Sequence, residues 1–308
     1  MKIFSGSSKL PSRFRGGVIT LGVFDGVHRG HQKIFNTARQ GARKSHSPSI
    51  VYTFYPHPVQ VLAPELPLPL INTLEQRIEL IDRCGLDAVI VEPFTKRFSR
   101  QSAKTFFEKI LKNRLAPKRL IVGYDFTFGA KRQGTVETLE QLGKTSGIEV
   151  VVIPAIFETS QLLSSTEIRH AIQRGEVSRA ANLLGHRFFI DGLVVKGRGI
   201  GKRLGIHTAN LKTENELIPQ IGVYSSFTTV GRKQLRSVTN IGPNATFGGS
   251  SISIETHILN FNRSLYGKKI RVEFIERIRD EMTFPGPEML KKQILSDIQT
   301  AKNHFKRI

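Results

Sequence analysis

GVFDGVHRGH, Gly22–His31, sits directly behind the apolar run VITL, Val18–Leu21, and holds three glycines and two histidines where a strand gives way to a turn. Gly26 and Gly30 permit tight turns and a close backbone approach, so the N-terminus of the helix that follows can face an anion. His28 and His31 stand beside that position. Imidazole can donate to phosphate oxygens, and as a cation it can neutralise charge that grows in a transition state. Zinc is a poorer reading, because the glutamate of HExxH is absent and no cysteine lies nearby. The loop is also neither a GxGxxG fingerprint nor a GxxxxGK[ST] phosphate loop, so any phosphate chemistry here uses another grip.

Working outward, the strand-like runs VITLG, SIVYTF, DAVIVEPF, RLIVG and IEVVVIPA are separated by helical patterns. The helical stretches lie around GHQKIFNTARQGARK, TLEQRIELIDRCG, SAKTFFEKILKNRL and TVETLEQLGKTSG. This alternation predicts an α/β fold with a Rossmann-like parallel sheet and crossover helices. Such sheets place ligands on the loops after strand C-termini. Three further loops occupy that position. FYPHP fixes His57 between two prolines, as an aimed ring or a plain turn. GYDFTFG sets Asp125 between Tyr124 and Phe126. LLSSTEIR puts Ser164, Ser165 and Thr166 at a helix start with Arg169 one turn in, more hydroxyls than a cap requires.

After Gly185 the texture changes to short strands: FFIDGLVVKG, IGVYSSFTTVG, KQLRSVTNIG, SISIETHILNF and KKIRVEFIERIR. These predict a largely antiparallel barrel or sandwich. The boundary expected is 1–184 for the first domain and 185–308 for the second. A final amphipathic helix, roughly Pro287 to Phe305, carries Met289-Leu290, Ile294-Leu295 and Ile298 as its apolar face. In the second domain VVKGRGIGKRLGIHTANL combines a basic glycine-rich turn with Thr208 and Asn210. Gly197, Gly199 and Gly201 could wrap backbone amides around a polyphosphate, with Lys202 among them. Thr208 and Asn210 lie two apart on an extended segment, so hydroxyl and carboxamide can reach one Mg²⁺. Glu255 projects from the polar face of a strand and could serve as a general base.

Composition bounds the rest. The chain has 308 residues, 39% of them hydrophobic, enough for two ordinary domains. Its 46 Lys and Arg against 25 Asp and Glu give +21, a charge that favours anionic partners, nucleic acid and nucleotides alike. The basic residues are spread along the chain, with no helix-turn-helix and no RNP-like aromatic strand, so nucleic acid is not the expected partner. A single cysteine, Cys84, excludes an internal disulfide framework and is expected to be a buried structural thiol. No signal-peptide core and no apolar run of roughly twenty residues is present, which points to the cytoplasm and away from a membrane.

The set GVFDGVHRGH, TFYPHP, GYDFTFG and SSTEIR resembles, in order and position, the N-terminal module of the prokaryotic bifunctional riboflavin kinase/FMN adenylyltransferases, or FAD synthetases. That module belongs to the HxGH nucleotidyltransferase superfamily. The resemblance implies that His28 and His31 hold and polarise the ATP phosphates while FMN phosphate attacks the α-phosphorus. It places Gly22, Phe24, Gly30 and His57 around the nucleotide, Asp125 beside the flavin, and Ser165, Thr166 and Arg169 on the triphosphate. Glu167 stands where that family often has a basic residue.

The later run GRGIGKRLG, TAN, IETHI and LYGKKI resembles the flavokinase module of the same enzymes, a six-stranded Greek-key β-barrel. Thr208 and Asn210 are thereby assigned to Mg²⁺ and ATP, and Glu255 to deprotonation of the riboflavin 5′-hydroxyl. Riboflavin and FMN are the implied substrates and FAD the product. This chain reads HTAN with His207 where the family has PTAN, has Ala245 where a proline is usual, and has Asn260 and Asn262 in place of aspartates. Weaker ATP binding with retained activity is the expected consequence. Two other readings follow from the residues: a basic nucleic-acid-binding or tRNA-processing relative, and a flavin enzyme with one active domain. Self-association is left open.

Overall fold

The structure, a computed structural model, describes residues 1–158, 161–197, 205–243 and 252–307. They form two compact units, Met1–Ser165 and Thr166–Ile308. Compactness thus divides the chain one helix pair earlier than the functional step expected at 184/185.

The first unit is built on six parallel strands: β1 (Lys2–Ser5), β2 (Val18–Leu21), β3 (Ser49–Tyr55), β4 (Ala88–Pro93), β5 (Arg119–Gly123) and β6 (Glu149–Ile153). Their order is β1-β4-β3-β2-β5-β6. β2, with all four residues buried, and the inner stretch Ser49–Thr53 of β3 read as continuous apolar runs because helices cover both faces. From β2 the chain winds outward through β3 and β4; β5 and β6 lie on its other side. The β2/β5 junction is therefore the switch point of the sheet, and the loops after β2 and β5 open into it. A small hairpin, β7 (Phe157–Glu158) with β8 (Gln161–Leu162), precedes the serine pair. β1 was absent from the expected set: a four-residue edge strand carries too little apolar periodicity to register.

The second unit is a closed antiparallel barrel of β9 (Phe189–Val195), β10 (Ala209–Thr213), β11 (Gly222–Val230), β12 (Lys233–Pro243), β13 (Ile252–Ile258) and β14 (Lys269–Arg279). The order is β10-β13-β12-β11-β14-β9. Closure removes every free edge. Part of its interior is polar: Ser226, Thr228, Ser237, Thr239 and Thr256 are buried and hydrogen-bond to one another at 2.7–3.3 Å. A fully bonded hydroxyl cluster carries no unsatisfied group, so the barrel tolerates it.

The C-terminal helix Pro287–Phe305 packs Ala301 and Phe305, with Ile298, against Val223, Val238 and Phe227. Its expected apolar face needs correction, since Met289 and Leu295 are exposed at 58% and 54%. The buried side runs through Asp297, Ala301 and Phe305, at four-residue helical spacing. It is fixed in place by Asp297, which accepts a bidentate pair from Arg279 at 2.9 and 2.8 Å.

Candidate active sites

In the first unit, β2 ends at Leu21 and the loop turns through Phe24 and Val27, both with positive φ, into the helix Arg29–Lys44. His28 is the residue capping that helix: its Nδ1 accepts from the His31 backbone N–H at 3.4 Å, which leaves the ring proton on Nε2. His28 and His31 are stacked, with ring centroids 3.6 Å apart and planes at 22°. Gly30 makes this possible, because a Cβ there would lie 2.9 Å from the His28 ring. Phe24 is buried and packs edge-on to His31 at 5.2 Å and to Phe35 at 4.8 Å, forming the wall behind the pair. Gly22 leaves room for the Phe24 ring, which would come within 2.7 Å of a Cβ.

Burial lowers the His28 pKa to about 4. Burial also takes His31 well below the ordinary histidine value, helped by His28 and by the charge of Arg77. Both rings are neutral at pH 7 in the free protein. In the free protein they are thus neutral hydrogen-bonding groups. Nδ1 of His31 is buried without a partner.

Two residues hold this loop that the motif reading did not single out. Asp25 accepts from the backbone N–H groups of Ile71 (3.1 Å) and Asn72 (3.3 Å). Arg77, buried, donates to the carbonyls of Val23 (2.8 Å) and Phe54 (3.0 Å), tying the loop after β2 to the end of β3. A signal existed: in LEQRIELI, Arg77 falls on the same helical face as Leu80 and Ile81, and a charge on an apolar stripe needs partners.

The remaining predicted residues of this half divide. Ser165 is brought to the loop, its hydroxyl donating to the Asp25 carbonyl at 3.0 Å. His57 is used locally: it caps the short helix Pro58–Leu62, its Nδ1 accepting from Val59 N–H at 3.1 Å. Asp125 is exposed on the loop after β5, beside exposed Tyr124. Thr166 is exposed and Arg169 buried in the helix Ser165–Gln173, most of which belongs to the second unit. Glu167 accepts from Arg179 at 2.6 Å, which occupies the charge that departs from the family pattern. Cys84 is half-buried, its thiol donating to the Leu80 carbonyl at 3.4 Å, and burial raises its pKa.

In the second unit Glu255 lies on β13 between buried Ile254 and Thr256, so its side chain faces out of the barrel. The register sets Asn210 on β10 and Asn240 on β12 directly opposite it on either side. Thr208 donates its hydroxyl to Glu255 Oε2 at 3.2 Å. Thr208, Asn210 and Glu255 are thus one cluster of oxygen ligands. A Cβ at Gly197 would overlap the Asn210 carboxamide, so glycine is required there. His257 donates through Nδ1 to the His207 carbonyl at 2.8 Å, which steadies the backbone that a proline would otherwise restrain. Asn260 has φ +56, a left-handed position that asparagine and aspartate both tolerate. Gly199, Gly201, Lys202 and Ala245 lie outside the described residues. Oxygen donors suit Mg²⁺, and among the described residues there is no cluster of three or more His, Cys, Asp or Glu to hold a metal without nucleotide phosphates.

Comparison with known proteins matches both halves. The FAD synthetase family matches residues 10–167 and the riboflavin kinase family residues 184–305. The chain is 34% identical to the bifunctional riboflavin kinase/FMN adenylyltransferase of Escherichia coli K12, covering 99% of this chain and 98% of that one. It is 36% identical to the protein of the same description from Bacillus subtilis, over 94% and 93%. A solved structure described as a macrolide-efflux protein from Streptococcus pneumoniae superposes with a TM-score of 0.89 at 31% identity, over 98% of each chain. Among the described residues of the present chain, no helix is long and apolar enough to cross a membrane.

Proposed function

Because the chain belongs to the bifunctional riboflavin kinase/FMN adenylyltransferase family, we propose that its two phosphate chemistries are divided between the His28/His31 loop and the Glu255 cluster. The chain is a transferase: it phosphorylates riboflavin with ATP to give FMN and ADP, and it adenylylates FMN with a second ATP to give FAD and pyrophosphate. The assignment of residues rests on one observation above the others. What supports it is the pairing of the stacked imidazoles at a helix N-terminus in one half and the Thr208–Glu255 bond beside Asn210 in the other.

In the kinase half, Glu255 takes the proton of the riboflavin 5′-hydroxyl as that oxygen attacks the γ-phosphorus and ADP leaves. Thr208 engages Oε2, which leaves Oε1 to face the substrate. Thr208 and Asn210 would hold Mg²⁺ through their side-chain oxygens; the ion, when bound, neutralises phosphate charge. In the adenylyltransferase half, an FMN phosphate oxygen attacks the α-phosphorus and the bond to pyrophosphate breaks. His28 and His31 donate to the phosphate oxygens and orient them without acting as a base. Ser165, Thr166 and Arg169 hold the triphosphate. Glycines 199 and 201 and Lys202, with Gly197, serve the kinase nucleotide. The functional boundary is placed at 184/185, supported by the family matches ending at 167 and resuming at 184. The cytoplasm, where ATP is available, is the proposed compartment.

Incubation with riboflavin, ATP and Mg²⁺, with chromatographic resolution of FMN and FAD, tests this directly. Both products are expected, FMN first; FMN alone would limit the chain to kinase activity.

A further inference from the structure

The loop from Phe128 to Gly134 is fixed more firmly than a surface turn requires. Phe128 and Gly134 exchange backbone hydrogen bonds at 3.0 and 2.9 Å. Gly129, at φ +76, approaches so closely that a Cβ would lie 2.5 Å from the Ala103 backbone nitrogen. Ala130 N–H donates to the Gln101 carbonyl at 2.7 Å. What this frame displays is a strained pair: Lys131 (φ 54, ψ 25) and Arg132 (φ 59) are both left-handed. Left-handed backbone is unfavourable for residues with a Cβ and persists where the surroundings impose it, as at ligand clamps.

The two side chains are exposed. Arg132 Nε donates to Thr127 Oγ1 at 3.0 Å, which orients the guanidinium and leaves its terminal nitrogens available. Lys96, Arg97, Arg100 and Lys104, on the segment that Gln101 joins to this loop, are exposed too, and no acidic residue occurs between Glu92 and Glu108. Beneath the loop, half-buried Phe126 stacks on buried Phe128 at 5.7 Å, and Phe128 packs against buried Phe106 at 5.9 Å, so the loop is anchored on the hydrophobic core. The loop follows β5, the immediate neighbour of β2, and so leaves the sheet beside the His28/His31 loop.

An exposed cationic pair on a rigidly held loop that leaves the sheet beside the His28/His31 loop fits a ligand that carries a phosphate monoester. We propose that Lys131 and Arg132 bind the phosphate of FMN and thereby make this half select the phosphorylated flavin over riboflavin. This rests on reading the first unit as the adenylyltransferase. The reaction joins two anions: an oxygen of the FMN phosphate forms a bond to the α-phosphorus of ATP, the α–β bridging bond breaks, and pyrophosphate departs with that electron pair. Cations on the incoming phosphate reduce the repulsion without entering the covalent step.

The test is steady-state adenylylation of FMN by the full chain carrying Glu255→Gln, so that riboflavin is not phosphorylated during the assay, with Lys131→Ala/Arg132→Ala and, to relieve rather than add backbone strain, Lys131→Gly/Arg132→Gly. Both pairs are expected to raise the KM for FMN about tenfold at low salt, leave the KM for ATP and the Ki of riboflavin as a competitor within about twofold, and flatten the salt dependence of the FMN KM. An FMN KM within twofold of the parent overturns the proposal. So does a parallel rise in the ATP KM or the riboflavin Ki, which would make the loop a triphosphate grip or a general pocket wall. If the unmodified chain makes no FAD from FMN, the reading of the first unit fails instead.

Discussion

In the first unit the groups proposed to meet phosphate are two stacked imidazoles, kept uncharged in the free protein by burial at the start of a helix. In the second they are a carboxylate on the outer face of a barrel strand and the hydroxyl and carboxamide beside it. Adenylyl transfer begins from a phosphate nucleophile that is already anionic, so no base is required and hydrogen-bond donors are enough. Phosphorylation of riboflavin begins from an alcohol whose proton must go somewhere, and the Glu255 carboxylate is the acceptor proposed for it. The difference in side chains follows from the difference in nucleophile.

The sharpest way to break this division is Glu255→Gln. Riboflavin phosphorylation should fall by about 10²–10⁴-fold, as for loss of a general base, with adenylylation of supplied FMN retained. A kinase rate within a few-fold of the parent would remove Glu255 from the base role. Next, His31→Ala should lower FAD formation from FMN by about 10²–10³-fold, the scale for removing one preorganised donor, while riboflavin phosphorylation continues.

Arg77 tests the support beneath the histidines. Arg77→Met removes both carbonyl contacts and the charge, so adenylylation should drop about tenfold and His31 should titrate at higher pH than in the parent. Arg77→Lys retains the charge and should leave the His31 titration near the parent's. NMR of the imidazole resonances, read beside the rate, separates a positioning role from a merely structural one. The last effect is on stability rather than on rate. His28 is depressed from its unfolded value near 6.5 to about 4, so the unfolded chain takes up the proton first. Its contribution is complete above about pH 6.5 and is lost as pH falls through 4, some ~3 kcal/mol in all. Denaturant melts between pH 7 and 4 should show a steeper loss in the parent than in a His28→Gln chain, where only the part owed to buried His31 remains.

Much of this was legible in the sequence, for physical reasons. Strands β2 to β6 alternate with helices of clear 3.6-residue period, and motifs that follow strand ends land where parallel sheets bind ligands. The alternation of Ile254 and Ile258 against Glu255 and His257 gave away the outward face of β13, although Ile252, read on the same apolar face, is exposed. What escaped depends on contacts between distant segments. Arg77 meets its partners 23 and 54 residues away in sequence. The apolar face of the C-terminal helix is set by Asp297 reaching Arg279 rather than by its methionine and leucines. The neutrality of the histidines in the free protein was not legible, because a motif conveys spacing and not desolvation. The Lys131–Arg132 pair reads as an ordinary basic turn until its backbone is seen.

The measurement that bears most directly on two independent sites in one chain is a mixing experiment. Glu255→Gln protein and His28→Ala/His31→Ala protein are each given riboflavin, ATP and Mg²⁺, alone and together, and FAD is quantified by chromatography. Two independent sites predict no FAD from the first alone, FMN without FAD from the second alone, and FAD from the mixture, since free FMN passes from one chain to the other. Loss of both activities in either variant, or a mixture that stops at FMN, would contradict the account.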